Sequence, residues 1–251
     1  MRLNGRTALV TGATSNIGRA IAVAYAAEGA HVVVSGRSKD RGDQVVAEIR
    51  ANGGRADFVA ADLGTAAGAR ALADEATRVL GRIDILVNNA GLIDGAPTEE
   101  AAEDVVDAVF AVNVKAPLFL VGAIAPVMAS RGGGVVVNLG SWVARLGIPV
   151  GAVYAASKGA LETLTRAWAA EFGPAGVRVN AISPGVIRES PIDDDPAEVM
   201  MAGTPTGTHG TPDAIAAAAV YLAGDDATFV HGTTIDVDGG RIGVAVLAAS
   251  R

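Results

Sequence analysis

Short runs of β-branched residues alternate with longer stretches of helical periodicity along this chain of 251 residues. The first segments form a strand at 7–10, a helix at 17–28 and a second strand at 31–35, which is a βαβ unit. Strands joined by helices lie parallel and are covered by helices on both faces, so the sequence predicts a doubly wound α/β fold. The remaining predicted strands are 56–60, 83–87, 135–139, 177–182 and 233–237, and the remaining predicted helices lie near 39–51, 66–80, 99–128, 153–172 and 212–223.

Length and composition favour one domain over residues 1–251, because 251 residues suit one large α/β unit and no linker divides the chain. Half of the residues are hydrophobic and only 4% are aromatic, which predicts a core of Ala, Val, Leu and Ile. The segment at about 186–211 breaks every period with prolines and glycines. A loop of that length in a compact domain is usually functional, so we expect a substrate-binding lid there.

Charge and residue usage exclude several classes of function. The net charge is −7 and no basic block occurs, so we expect no nucleic-acid partner. Cysteine is absent, and the three histidines are scattered, so we expect neither a thiol nucleophile nor a metal site. The amino-terminal apolar run at 8–10 is too short for a secretory signal, and the longest uncharged stretch, from Ala116 up to Arg131, is shorter than the ~20 residues of a membrane span. We therefore expect a cytoplasmic protein with no membrane partner.

A glycine-containing loop follows the first predicted strand and opens the first helix, reading Thr11-Gly12-Ala13-Thr14-Ser15-Asn16-Ile17-Gly18. In that position the backbone N–H groups and the helix amino terminus suit a pyrophosphate. The alternative is an ordinary glycine-rich turn. The strand–loop–helix context favours a dinucleotide site.

Tyr154 and Lys158 lie four residues apart on a predicted helix, and Tyr154 comes thirteen residues after Ser141. Residues at this spacing share a helix face, so the ammonium is expected near the phenol. A nearby positive charge lowers a tyrosine pKa from its usual ~10, as proton exchange at neutral pH requires. The alternatives are a packed ring beside a solvated amine, a Ser141 satisfied by backbone, and an Asn113 bonded to its own helical turn.

Candidate polar residues come directly after predicted strands, where doubly wound sheets bind their ligands. They are Gly12, Arg37, Asp62, Asn89, Ser141 and Pro184.

The glycine loop, Asn88-Asn89-Ala90-Gly91, Asn113, Ser141, Tyr154-x-x-x-Lys158 and Pro184-Gly185, in this order, resemble the classical short-chain dehydrogenase/reductase family over residues 3–240. The resemblance implies a single-domain Rossmann fold with a seven-stranded parallel sheet, and hydride transfer between a nicotinamide and a carbonyl or secondary alcohol. It implies that Tyr154 is the general acid or base, Lys158 holds the nicotinamide ribose and lowers the tyrosine pKa, Ser141 binds the substrate oxygen and Asn113 supports a water relay. The implied cofactor-binding residues are Gly12, Thr14, Ser15, Asn16, Ile17, Gly18, Ser35, Arg37, Ser38, Asp62, Leu63, Asn89, Ala90, Gly91, Tyr154, Lys158, Pro184, Gly185 and Ile187.

The end of the second predicted strand reads Ser35-Gly36-Arg37-Ser38 and contains no acid that would accept the ribose hydroxyls of NAD. Arg37 offers a planar fork for a 2′-phosphate, with Ser35 or Ser38 beside it. We therefore predict a preference for NADP(H). NAD(H) stays possible if Arg37 only stacks on the adenine.

Two positions depart from the family pattern. Asn16 stands where a glycine is usual and a left-handed backbone is often required, and asparagine is the next best residue there. Glu189 stands where many relatives have a threonine that contacts the nicotinamide carboxamide, so no cofactor role is assigned to it.

The leading hypothesis is a ketone reductase or alcohol dehydrogenase. Trp142, Leu146, Ile148, Met200 and Met201 are candidate walls of its substrate pocket, with ordinary packing as the alternative. Relatives that reduce 3-oxoacyl carrier proteins often carry a basic residue just before the glycine ahead of the sixth strand. Ala175 stands there instead, although Arg131 or Arg166 could substitute. A non-catalytic nucleotide-binding sensor or scaffold is a third hypothesis, and the resemblance also implies a homotetramer.

Overall fold

Seven parallel strands form one sheet in the order β3-β2-β1-β4-β5-β6-β7 in the computed structural model, which describes residues 1–149, 151–190 and 196–245. The inner strands are rich in Val, Ile and Leu because both of their faces are covered. The strands are β1 Thr7–Val10, β2 His31–Gly36, β3 Arg55–Ala60, β4 Ile85–Asn88, β5 Gly134–Leu139, β6 Val177–Pro184 and β7 Thr234–Val237. The predicted seven-stranded Rossmann architecture is confirmed.

Helices connect consecutive strands. Two of them begin at side-chain caps, with Ser38 accepting a hydrogen bond from Arg41 N and Thr65 accepting one from Gly68 N. The helices are α1 Asn16–Ala27, α2 Lys39–Ala51, α3 Ala66–Leu80, α4 Glu103–Phe110, α5 Ala116–Ser130, α6 Ala152–Phe172, the short α7 Pro196–Val199 and α8 Pro212–Ala223.

The two faces of the sheet carry separate hydrophobic clusters. One cluster joins the sheet to α1, α2 and α8, and Tyr25 is its largest fully buried side chain. The other joins the opposite face to α3, α5 and α6. A third and smaller cluster contains Trp142, Val186 and Met201, with Met200 and Ile242 packed against it. It connects the segment after β5 to the segment after β6.

Between α4 and α5 the chain forms one π-helical segment, Ala111–Lys115, so that Glu103–Ser130 runs as one helical stretch of 28 residues. By length and composition alone this stretch could cross a membrane. Its α5 residues Leu120, Ile124 and Met128 instead pack in the cluster against the sheet. A π segment inside a helix is common at functional sites.

The strand order reverses at β1, whose neighbours are β2 and β4. The helices that follow β2 and β4 pack on opposite faces of the sheet. A crevice therefore opens between them beyond the carboxyl end of β1. The predicted lid follows β6. Its residues 191–195 lie outside the described residues, and a bridge between Ile187 and Gly210 joins its two ends.

Candidate functional site

The glycine loop after β1 is packed too closely for side chains at two positions. A Cβ at Gly12, whose φ is +63°, would lie 2.8 Å from Ala90 Cα, and one at Gly18 would lie 2.3 Å from the Gly12 carbonyl oxygen. The Asn89 side-chain amide donates to the carbonyl oxygens of Thr11 at 2.9 Å and Gly12 at 3.0 Å. Asn89 therefore holds the loop in place from the neighbouring strand.

Helix α1 begins without a side-chain cap, because Ser15 occupies the N-cap position but its side chain accepts no hydrogen bond. Asn16 has a φ of 46° and is the one residue other than glycine with a positive φ in the described ranges. The expected left-handed geometry at Asn16 is thus observed. The uncapped N–H groups and the positive end of the helix dipole suit an anionic group such as a pyrophosphate.

A cleft of 420 Å³, here called the glycine-loop cleft, lies over this helix terminus. Ser38 is absent from its lining and caps α2 instead, so its predicted cofactor role lacks support. Arg41, which the sequence interpretation missed, lines the cleft one turn after Arg37. The predicted residues that line the cleft are Gly12, Thr14, Ser15, Asn16, Ile17, Gly18, Ser35, Arg37, Asp62, Leu63, Asn89, Ala90 and Gly91.

Arg37 and Arg41 make one end of this cleft positive. Both are exposed, and neither forms a salt bridge with a described residue, whereas the neighbouring Lys39 pairs with Asp43 at 2.5 Å. Asp62 is the acid in the lining, and its Oδ1 accepts a hydrogen bond from Gly64 N at 3.0 Å. Two guanidinium groups without carboxylate partners suit a phosphate dianion.

A second cleft of 390 Å³, the tyrosine cleft, continues from the first and shares Asn16, Ile17, Asn89 and Gly91 with it. Ser141 lies just beyond β5, and Tyr154 lies in the first turn of α6. The Ser141 hydroxyl lies close enough to the Tyr154 phenol to lower the pKa of that phenol. The other predicted residues that line the cleft are Lys158, Pro184, Gly185 and Ile187.

Asn113 is fully buried in the π segment and does not bond to its own turn. Its Oδ1 accepts from Leu92 N at 2.7 Å, and its Nδ2 donates to Leu92 O and to Ser157 Oγ, both at 2.9 Å. Ser157 Oγ in turn donates to Tyr154 O at 2.7 Å. Asn113 therefore joins the loop after β4 to the first turn of α6. Ser157 was missed because its only sequence signal is its place three residues after Tyr154.

Lys158 is 4% exposed and donates to Leu139 O at 2.7 Å. Burial lowers its pKa to about 8. Its Nζ lies 5.8 Å from the centroid of the Tyr154 ring. The lysine is therefore mainly protonated at neutral pH, close to the tyrosine but bonded to backbone.

The predicted lowering of the Tyr154 pKa by Lys158 is wrong for this structure. Burial raises the pKa of Tyr154 above its ordinary value, and the nearby Ser141 hydroxyl offsets part of that rise. Sequence spacing reports which groups are neighbours but not how much water they lose, and here the loss of water dominates. The phenol thus stays protonated at neutral pH.

The candidate pocket walls divide into two groups. Trp142, Ile148 and Met200 line the tyrosine cleft. Leu146 and Met201 pack in the third hydrophobic cluster, which agrees with ordinary packing, the alternative to a role in the pocket wall. Glu189 is exposed and lies outside the lining of both clefts.

Comparison with known proteins gives matches over nearly the whole chain. A family model described as enoyl-(acyl carrier protein) reductase matches residues 12–241. A D-threitol dehydrogenase of Mycolicibacterium smegmatis is 38% identical over 95% of this chain and 94% of its own. The 3-oxoacyl-[acyl-carrier-protein] reductase FabG of Thermotoga maritima is 34% identical over 96% of this chain and 100% of its own.

A solved structure of a gluconate 5-dehydrogenase from Burkholderia cenocepacia J2315, in complex with NADP and tartrate, has a TM-score of 0.91 and 34% identity to this chain. The match covers 97% of this chain and 98% of that one. The bound NADP agrees with the predicted cofactor preference. These relatives confirm the predicted oxidoreductase class, and with matches of this length this chain belongs to the short-chain dehydrogenase/reductase family.

Proposed function

We propose that this protein transfers hydride between NADP(H) and the carbonyl or carbinol carbon of a small molecule, as a ketone reductase or alcohol dehydrogenase. The observation that carries the proposal is that the Ser141 and Tyr154 hydroxyls line one cleft, which continues into the glycine-loop cleft. Two hydroxyl donors aimed at one cleft suit an oxygen that gains negative charge.

The residues present fit a dinucleotide. Glycine at positions 12 and 18 lets the loop pack closely against Asn89 and Ala90, and the uncapped start of α1 that the loop leads into offers free N–H groups. A bound nicotinamide cofactor supplies the hydride in reduction and accepts it in oxidation. Its proposed ligands are the predicted residues that line the two clefts, without Ser38 and with Arg41 added.

In carbonyl reduction the Tyr154 phenol donates a proton to the substrate oxygen, and the Ser141 hydroxyl donates a hydrogen bond to it. The raised pKa of Tyr154 keeps the phenol in the protonated form that this step uses. The Lys158 ammonium adds positive charge close by. Asn113 acts by holding α6 against the loop after β4, and any water relay through it remains a proposal.

The test is a panel of substrates chosen from the chemistry of the relatives. NADPH consumption is followed with cyclohexanone, 5-ketogluconate and acetoacetyl-coenzyme A, and NADP⁺ reduction is followed with D-threitol and D-gluconate. We expect turnover with at least one compound. Tight NADPH binding without turnover on any of them would instead favour the non-catalytic sensor or scaffold.

Selectivity for NADP(H) is predicted to depend on both Arg37 and Arg41. Each charge-assisted hydrogen bond contributes about 1.5–3 kcal/mol, so Arg37→Ala and Arg41→Ala should each raise the Kd for NADPH by about 10- to 150-fold. The Kd for NADH should stay unchanged, because NADH lacks the 2′-phosphate. Fluorescence titration with both cofactors measures this, and Lys39→Ala is the matched control on the same turn. A loss of affinity shared equally by NADH would contradict the assignment.

Reduction of a 3-oxoacyl carrier protein is the second candidate function. Arg131 borders a surface cleft in which Arg6 and Arg82 pair with Asp225 and Asp84. Among the described residues Arg131 forms no salt bridge, so it is the basic group that this surface offers to an acidic carrier. This surface lies at the amino-terminal end of β5, about 23 Å along the strand from Ser141 at ~3.3 Å per residue. A kcat/KM for acetoacetyl carrier protein far above that for acetoacetyl-coenzyme A, lost in Arg131→Glu, would favour this candidate.

We further propose that the protein is a cytoplasmic homotetramer that binds no nucleic acid or membrane. The stretch Glu103–Ser130 exposes Val105, Leu118 and Val127, which supports packing of this face against a second copy. Light scattering after size exclusion measures the mass, and Leu118→Lys with Val127→Lys should give smaller species. A monomeric wild-type protein would contradict the tetramer.

A further inference from the structure

Arg145 connects three elements that meet behind the tyrosine cleft. It follows the single turn Trp142–Ala144, which begins immediately after Ser141. Its guanidinium donates to both carboxylate oxygens of Asp236 on β7, from Nη1 at 3.2 Å and from Nη2. Its Nε lies 3.3 Å from Glu162 Oε1 on α6. One side chain thus joins the segment after β5 to the sheet and to α6.

Glu162 is unusual because it is a carboxylate that is only 6% exposed. Its Oε1 has no hydrogen-bond partner among the described residues, so Arg145 is the cation that compensates it most directly. Burial raises the pKa of Glu162, and the charge of Arg145 opposes that rise. Arg166, one turn further along α6, also acts on Glu162 but is exposed and bonds to Thr163. Because the buried Glu162 carboxylate depends on Arg145 for charge compensation, it constrains the position of the Arg145 guanidinium.

The turn transmits the position of Arg145 to Ser141. Ala144 N donates to Ser141 O at 3.0 Å, and Arg145 N donates to Trp142 O at 3.1 Å. These backbone bonds are internal to the turn. Trp142 packs with Met201 of the lid, and the Arg241 guanidinium carbon lies 5.8 Å from the centroid of its ring. Arg145 is the side chain that links the turn to both β7 and α6 through ion pairs.

Helix α6 carries Tyr154 as well as Glu162. The two residues are eight positions apart, about 12 Å along the axis at ~1.5 Å per residue. The oxyanion geometry requires the Ser141 and Tyr154 hydroxyls to be held at a set spacing. An ion pair between Arg145 and the tyrosine's own helix supplies that constraint independently of the lid.

We propose that Arg145 is a positioning residue, which through Glu162 and Asp236 sets the position of the Ser141 hydroxyl relative to Tyr154. This inference rests on the proposed hydride transfer. Arg145 lines neither the tyrosine cleft nor the glycine-loop cleft, so its removal acts on the chemical step through Ser141. Cofactor binding in the glycine-loop cleft stays unaffected.

The test is a double-mutant cycle between Arg145→Met and Ser141→Ala, assayed with NADPH and the fastest substrate of the panel. A misplacement on the scale of 1 Å costs about 100-fold, so we expect Arg145→Met to lower kcat by about 10- to 100-fold. The Kd for NADPH should change by less than about twofold. In the Ser141→Ala background Arg145→Met should cost less than about threefold, because the residue through which it acts is gone.

Three further variants separate positioning from folding. Arg145→Lys should recover part of kcat, and Arg166→Met, which removes a charge near Glu162 without touching the turn, should leave kcat unchanged. Arg145→Met with Glu162→Gln removes the uncompensated buried acid and should fold while keeping the loss of kcat.

Multiplicative losses in the cycle would overturn the proposal, as would an unchanged kcat in a folded Arg145→Met protein. Loss of the fold in both Arg145→Met and its double variant would assign Arg145 a purely structural role. A wild-type protein that consumes no NADPH with any panel compound would instead be a failure of the proposed function. Turnover in the wild type with an additive cycle would reject only the role of Arg145.

Discussion

Tyr154→Phe is expected to lower kcat for carbonyl reduction by about 10²- to 10⁴-fold, the usual contribution of a general acid. The change removes the phenolic hydroxyl, which is the proton donor, but it retains the ring. The Kd for NADPH should stay within about twofold of the wild type, because Phe fills the same volume. Steady-state kinetics and fluorescence titration measure the two quantities.

Tyr221→Phe is the matched control for the loss of one phenolic hydroxyl. Tyr221 lies on α8 against the opposite face of the sheet, so its kcat should equal that of the wild type. A Tyr154→Phe enzyme with turnover near the wild-type rate would remove Tyr154 from the proposed chemistry. A variant that lost NADPH affinity in proportion to kcat would assign Tyr154 to cofactor binding instead.

Lys158→Met is expected to abolish most turnover and to stabilise the fold at pH 7. Burial lowers the Lys158 pKa to about 8. At ~1.4 kcal/mol per pKa unit, the buried charge therefore costs about 3 kcal/mol. Met occupies a similar volume without the charge. Loss of the hydrogen bond to Leu139 O lowers the expected gain in stability by about 1 kcal/mol. We expect a free energy of unfolding higher by about 1–3 kcal/mol in urea denaturation.

The stability difference between Lys158→Met and the wild type should depend on pH in one direction. Below pH 8 the lysine is protonated in both the folded and the unfolded chain, so the whole penalty is present. Between about pH 8 and 10.4 the unfolded wild-type chain binds more protons than the folded one, so wild-type stability from this group rises with pH. The advantage of the variant should therefore shrink over that range. Lys115→Met, an exposed substitution of the same type, should change stability little at any pH. A variant less stable than the wild type at pH 7 would contradict the argument.

The strands were predictable because buried parallel strands leave continuous apolar runs, and all seven occur within about two residues of their expected positions. The start of β4 differs most, because this strand was expected to begin at Ile83 but begins at Ile85. Asp84 is the cause, since its carboxylate accepts a hydrogen bond from Thr7 N and takes the place of a ladder bond. The π segment was not predictable, because one extra residue in a turn leaves the surrounding helical period almost unchanged.

Within the site, the sequence order predicted which residues meet but not their environment. Spacing brought Tyr154 and Lys158 together, yet burial reversed the expected pKa shift of the phenol. Ser38 caps α2 and does not line the glycine-loop cleft, because a serine before a helix serves equally well as an N-cap. The contact between Arg145 and Glu162 depends on how α6 packs behind the turn after β5. No local pattern encodes that packing.

The π segment has a consequence for how this chain can change in length. The wider turn of Ala111–Lys115 absorbs one extra residue, so removal of one residue would restore regular α-helix and leave the rotation of α5 relative to α4 almost unchanged. Leu120, Ile124 and Met128 would then still pack against the sheet, whereas Asn113 would lose the wide turn that places it beside Ser157. A single-codon deletion in this segment should therefore damage the site more than the fold.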